Sequence, residues 1–251
     1  MPKAATKPAH QQTTQPYFSQ EAVKFLRGLK RNNNREWFEA RRVIFERELK
    51  KPMLTVIERV TDAMTDFAPA HVRPAQKTMM RIYRDTRFSA DKTPYKTHVS
   101  AWWTRAGLEK TSGGGYYFHF SPTEVVIAAG IYMPAREQLL AIRMQLLEQH
   151  DEFRRLLNGK KLRKVMDLDL DRAALTRPPK GFCADHPGID LIKQQQWGLL
   201  ARLPAETALN AKLANEIVER FRLAAPVVDF LNRPFVQEVE KKKKQYIFKL
   251  I

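Results

Sequence analysis

The stretch that most constrains this chain runs from Val125 to Tyr132, an almost wholly apolar segment reached through the turn Ser121-Pro122-Thr123-Glu124. Before the turn, Tyr116, Phe118 and Phe120 alternate with Tyr117, His119 and Ser121. A period of two marks a strand with one face buried, and a short continuous apolar run marks a strand covered on both faces. Together they predict an antiparallel hairpin whose second strand, over Val125–Tyr132, is central. Two further β-prone runs, Thr78–Arg84 and His98–Thr104, predict two more strands. Gly113-Gly114-Gly115 reads as a flexible connection, because no phosphate-loop lysine and hydroxyl follow it.

The segments on either side carry a 3.6-residue period. Ser19 is an N-cap for a helix bearing Ala22, Phe25, Leu26 and Leu29, and Asn34 caps a second bearing Trp37, Phe38, Arg41, Phe45 and Leu49. Pro52 kinks or splits that helix, and Met53, Ile57, Val60, Met64 and Phe67 continue its stripe. Pro134 opens the clearest helix, closed by Asn158-Gly159. Asp185-His186-Pro187 begins another, predicted through Trp197, and Ala205–Leu223 gives one more. Strands grouped together, with helices before and after them, predict an α+β fold: an antiparallel sheet of at least four strands covered by helices. The expected organisation is a disordered tail over 1–16, a single α+β domain over 17–232, and a basic C-terminal tail over 233–251 containing Lys241–Lys244.

A formal net charge of +17 constrains partners. It is not the work of one tail: residues 1–125 carry 22 Lys and Arg against 12 Asp and Glu, and residues 126–251 carry 22 against 15. Such a field steers polyanions and anionic metabolites toward the protein, and it also serves solubility alone. The single cysteine, Cys183, excludes an intramolecular disulfide and multi-cysteine metal schemes, which fits a cytoplasmic location. No segment approaches the roughly 20 apolar residues of a membrane span, and no membrane partner is expected.

Functional groups are densest between Arg81 and Lys96, where five cations, two carboxylates and two tyrosines occupy sixteen positions. The candidate ligand-binding residues are Arg81, Arg84, Asp85, Arg87, Asp91, Lys92 and Tyr95. Guanidinium forks and an ammonium converging from a loop suit phosphate or carboxylate oxygens. The competing reading has Asp85 and Asp91 neutralising the arginines in an internal network. A magnesium site on Asp85 and Asp91 beside Lys92 is disfavoured, since Asp91 and Lys92 are adjacent and point opposite ways in an extended chain. His98, His119 and His186 admit an acid–base pair or a metal, but their spacing demands neither, and Cys183 lacks an evident base. No metal ligand set, cofactor or catalytic residue is assigned. Aromatics interleaved with cations, among them Tyr83, Tyr95, Trp102 and Trp103, keep a nucleic-acid-binding module as the alternative to an anion-binding protein or enzyme. An interaction scaffold without enzymatic activity is a third reading.

The same segment resembles a family of bacterial and fungal conserved hypothetical proteins of unknown function. That family is marked by R-x-x-R-D-x-R-F followed by D-K-x-x-Y, matched here by Arg81, Arg84, Asp85, Arg87, Phe88, Asp91, Lys92 and Tyr95. Asn34-Arg35-Glu36-Trp37-Phe38, Gly130-Ile131-Tyr132-Met133-Pro134, Pro179-Lys180-Gly181-Phe182 and His186-Pro187 are similar to it as well, so that the likeness spans roughly residues 17–232. It implies a shared fold and a shared pocket, and brings no reaction with it.

Overall fold

The computed structural model describes residues 15–108, 113–170 and 174–248, with side chains as far as 236. Among these residues the sheet has five antiparallel strands, β1 (Val99–Trp103), β2 (Gly115–Phe120), β3 (Glu124–Ile131), β4 (Asp167–Leu168) and β5 (Trp197–Pro204), in the order β1-β2-β3-β5-β4. The hairpin β2–β3 is thus central, and helices before and after the strands complete an α+β architecture. In register, Phe118 faces Ile127 and Ile127 faces Ala201, so one row of side chains crosses three strands and is buried.

Helices cover that inner face. The long helix α9 (Leu213–Phe248) lays Phe221 against Tyr116 and Trp103, with ring centroids 4.9 and 5.4 Å apart. Trp103 Nε1 donates to Thr61 Oγ1 of α4 (Lys51–Met64) at 2.8 Å, which meets the indole's one polar atom inside the core. On the outer face, Trp102, Tyr117, His119, Ala128 and Leu200 are half-buried and Arg202 is exposed. Val125, Val126, Ile127 and Ala129 of the apolar run are all buried, Val126 because His119 and Arg202 flank it in register.

The N-terminal third follows its caps. Ser19 Oγ accepts from the Ala22 amide at the start of α1 (Gln20–Arg31), and Asn34 Oδ1 accepts from the Trp37 amide in α2 (Arg35–Glu39). After α3 (Arg42–Phe45), Glu46–Lys50 form one π turn, and Pro52 falls at the start of α4, where a missing N–H costs least. α5 (Ala75–Thr78) is a single turn.

Several expectations differ from the structure: the helix predicted over Ala205–Leu223 is a 3-10 turn over Ala205–Leu209 and then α9 from Leu213. Thr78–Arg84 is not a strand: Thr78 ends α5, and only isolated bridges at Met79 and Tyr83 follow. The helix predicted from Asp185 through Trp197 is reduced to α8 (Ile189–Ile192), after which Trp197 opens β5. α9 runs through Pro226 and Pro234, so the backbone of 233–248 continues a helix, while residues 1–14 of the N-terminal tail lie outside the described residues. Pro234 cannot donate to the Phe230 carbonyl one turn back; Gln145 Nε2, from α6 (Arg136–Leu157), does so instead at 2.9 Å.

Gly114 is also more constrained than a flexible connection. Its amide donates to Asn232 Oδ1 at 2.9 Å, and its carbonyl accepts from Asn232 Nδ2 at 3.1 Å. His71 Nε2 reaches the same carbonyl at 3.0 Å. Among the described residues no helix is long and apolar enough to cross a membrane.

Candidate functional site

The segment from Arg81 to Lys96 folds back on itself. The Arg84 amide donates to the Pro94 carbonyl at 2.9 Å and the Lys96 amide to the Ile82 carbonyl at 2.8 Å, around a bridge between Tyr83 and Tyr95. This two-rung hairpin stands on the core through Tyr95, whose buried ring stacks on Phe38 at 4.2 Å and an interplanar angle of 16°. Beyond the rungs, residues 85–93 form an exposed tip carrying Phe88, which is 96% exposed.

Two ion pairs shape the tip. Arg87 binds Asp85 through Nε at 3.0 Å and a terminal nitrogen at 2.8 Å, holding the carboxyl at about 2. Arg84 binds Asp91 and the Thr93 hydroxyl and carbonyl. The Thr93 amide and hydroxyl, with Arg84, bring the Asp91 carboxyl to about 2 as well. Lys92 Nζ donates to the Thr86 carbonyl at 2.9 Å. Arg84, Arg87 and Lys92 are therefore each bound within the tip, and Tyr95 lies in the core.

Arg81 and Asp85, the tip partner of Arg87, also border a cavity. It is open, of about 630 Å³, and is lined as well by Arg73, Gln76, Lys77, Met79, Met80, Tyr83, Lys96 and Leu108. Four cations thus share one concavity with a single carboxylate, and Asp85 is already matched by Arg87. α5 accounts for part of the arrangement: Arg73 precedes Pro74 and Lys77 lies on the one turn that follows, and both line the same cavity as Arg81 and Lys96. Arg73 is steadied by Thr104, to whose hydroxyl it donates. Arg73 and Lys77 escaped the sequence reading because they lie just before the dense segment, although two cations four positions apart around Pro74 are the signal that could have found them.

The histidines fall into two places. His98 and His119 stack 4.8 Å apart on the outer sheet face. Burial lowers both, His98 to about 4, so each is neutral at pH 7. The Tyr117 hydroxyl lies 3.1 Å from His119 Nδ1, and Glu124, ion-paired to Arg202, lies on the far side. His186 sits apart: its Nδ1 accepts from the Gly188 amide at 3.0 Å and its Nε2 lies 3.1 Å from the Leu147 carbonyl, a capping role before α8. Cys183 is exposed. Among the described residues no three His, Cys, Asp or Glu side chains form a group that could hold a metal ion.

Fold and site together define an α+β protein with a cation-lined cleft beside an ion-paired hairpin. The profile of the conserved hypothetical protein family DUF2461 matches residues 21–230, and the chain belongs to that family. The matched span holds the whole of the cleft and the hairpin. A comparison with curated proteins found no match.

Proposed function

We propose that this protein binds an anionic ligand, a phosphate or carboxylate group, in the cleft lined by Arg73, Lys77, Arg81 and Lys96. The observation that carries this reading is the gathering of four cations around one concavity of about 630 Å³ in which the one lining carboxylate is paired with Arg87. Concavity matters because low-dielectric walls focus the field of converging charges, where a convex patch would leave it to be screened by salt. Arg73 and Arg81 supply planar forks and Lys77 and Lys96 supply compact ammonium charges, a set suited to oxygens arranged around phosphorus or carbon. Asp85, held ionised by Arg87, only accepts hydrogen bonds at neutral pH, so the wall offers charge rather than a proton donor.

Titration calorimetry with inorganic phosphate at low ionic strength tests the reading. Wild type takes up phosphate, and the double variant Lys77→Glu/Arg81→Glu loses at least about tenfold in affinity with its melting temperature held, since each charge-assisted bond contributes roughly 1.5–3 kcal/mol. Equal affinity in the two proteins, or no uptake by wild type, contradicts it.

The nucleic-acid reading has one observation of its own, the exposure of Phe88 beside Arg87 at the hairpin tip. A ring and a cation side by side suit an unstacked base and its phosphate. It requires binding to single-stranded oligonucleotide that falls log-linearly with salt and weakens in Phe88→Ala.

A further inference from the structure

The outer sheet face holds a second cavity, of about 410 Å³, and Met80 lines both it and the cationic cleft. The Met80 amide donates to the Ser100 carbonyl at 2.9 Å, which fixes this shared wall at the edge strand β1. One row of the second cavity's floor is bare of side chains. Gly115 pairs with Gly130 and Gly130 with Gly198, a row of three glycines across β2, β3 and β5. The next row on the same face holds Tyr117, Ala128 and Leu200, with Trp102 beside Tyr117.

Packing explains only two of the three glycines. A Cβ on Gly130, whose φ is +131°, would meet the Trp197 carbonyl oxygen at 2.1 Å, and one on Gly115 would meet the Trp103 carbonyl oxygen at 2.6 Å. At Gly198 the nearest atoms to a Cβ belong to Asp169, at 3.5 and 3.6 Å, which is ordinary contact. Glycine in a strand interior weakens it. Gly198 therefore carries a cost that the fold does not require, and what its missing side chain leaves is open floor. A Cβ on Gly115 would also lie 3.1 Å from Trp102 Nε1, so the indole covers that end of the row, and the bare strip runs over Gly130 and Gly198 with the Trp102 and Tyr117 rings beside it. A planar aromatic ring suits such a strip.

We propose that the two cavities are halves of one site, taking a phosphate group in the cationic cleft and a planar aromatic ring, joined to it past Met80, on the glycine floor. The ligand class is an aryl or heteroaryl phosphate. This rests on the anion-binding reading above and adds the body of the ligand to its head. The two halves differ in character as such a ligand does: the cleft presents Arg73, Lys77 and Arg81, and the second cavity presents Trp102, Tyr117, Ala128 and Leu200 with backbone between, His119, Asp169, Gln196 and Arg202 also lining it.

Equilibrium binding of three probes separates the claims: inorganic phosphate, 1-naphthyl phosphate, and neutral 1-naphthol, each against wild type, Ala128→Phe and Gly198→Ala. Ala128→Phe fills the floor, and Gly198→Ala, which a strand accommodates readily, intrudes by one methyl group. The expected result is 1-naphthyl phosphate at least about tenfold tighter than phosphate in wild type. That advantage is lost in Ala128→Phe and reduced in Gly198→Ala, with phosphate affinity within about twofold throughout. If 1-naphthyl phosphate binds no tighter than phosphate, or 1-naphthol binds as tightly as its phosphate, the joined site is overturned while the anion site stands. Failure of both phosphate and 1-naphthyl phosphate to bind overturns the anion site as well.

Discussion

The Asn33 side chain forms two hydrogen bonds with the backbone of Tyr95: Nδ2 donates to its carbonyl at 2.9 Å, and Oδ1 accepts from its amide at 3.0 Å. An amide side chain is the one group that offers a donor and an acceptor in this arrangement without charge. The pair ties the loop between α1 and α2 to the base of the hairpin that adjoins the cleft. Asn33→Ala should cost about 1–3 kcal/mol in denaturant unfolding. Asn33→Asp should cost a comparable amount, because a carboxylate faces the Tyr95 carbonyl without a proton to give. Faster amide exchange at Arg84 and Lys96 in both variants is the accompanying sign; unchanged exchange would show that the rungs hold without Asn33.

Arg143 is buried, and among the described residues its hydrogen bonds go to backbone carbonyls. Its Nε donates to the Ile192 carbonyl at 2.8 Å and a terminal nitrogen to the Gln194 carbonyl at 3.1 Å, which fixes the chain as it leaves α8 for β5. Arg143→Ala strands both carbonyls and removes the packed stem, so a loss of about 2–4 kcal/mol is expected in chemical denaturation. Arg143→Lys reaches at most one carbonyl well and should recover part of that loss.

Burial holds His71 at about 4, and the same effect, with His119 nearby, holds His98 at about 4. Both are therefore neutral in the folded protein at pH 5 to 6, while the unfolded chain takes up protons below about 6.5. Stability is full above that value, falls as pH drops from about 6.5 to about 4, and stops changing for these groups below it. His71→Gln should remove roughly half of this acid-dependent loss, on the order of 3 kcal/mol. Urea midpoints measured across pH 4 to 7 check it, and parallel curves for wild type and variant would refute the assignment.

Arg87 is 77% exposed, with its guanidinium on Asp85 and over the Phe88 ring. Its replacement by alanine should leave the melting temperature nearly unchanged. The Asp85 carboxyl should rise from about 2 toward its ordinary value, read by carbon-detected NMR titration. An unmoved Asp85 would mean that another group holds it.

Much of the fold was legible because local and global signals agree. Tyr116–Ser121 and Val125–Tyr132 have strand periods and a turn between them, and both are central. β5 was not legible, since Leu199, Leu200 and Ala201 are good helix formers; eight consecutive pairings with β3, from Glu124 with Pro204 to Ile131 with Trp197, decide its state. Pro226 and Pro234 broke the sequence pattern without breaking α9, and at Pro234 the repair comes from Gln145, which no local reading connects to it. At the site, the density of charge between Arg81 and Lys96 marks the hairpin, and of its charged residues Arg81, Asp85 and Lys96 line the cleft. How that charge divides depends on which aspartate each arginine reaches, and on α5 bringing Arg73 and Lys77 alongside Arg81; both are tertiary facts.

The central claim is that the anion site lies in the cleft and not at the hairpin tip. Crystals soaked in tungstate, a phosphate-like oxyanion with a strong anomalous signal, locate it directly. A peak is expected among Arg73, Lys77, Arg81 and Lys96, with the pairs Arg84–Asp91 and Arg87–Asp85 intact. A peak held by Arg84 and Arg87 with those pairs broken, or no peak in the cleft, would contradict it.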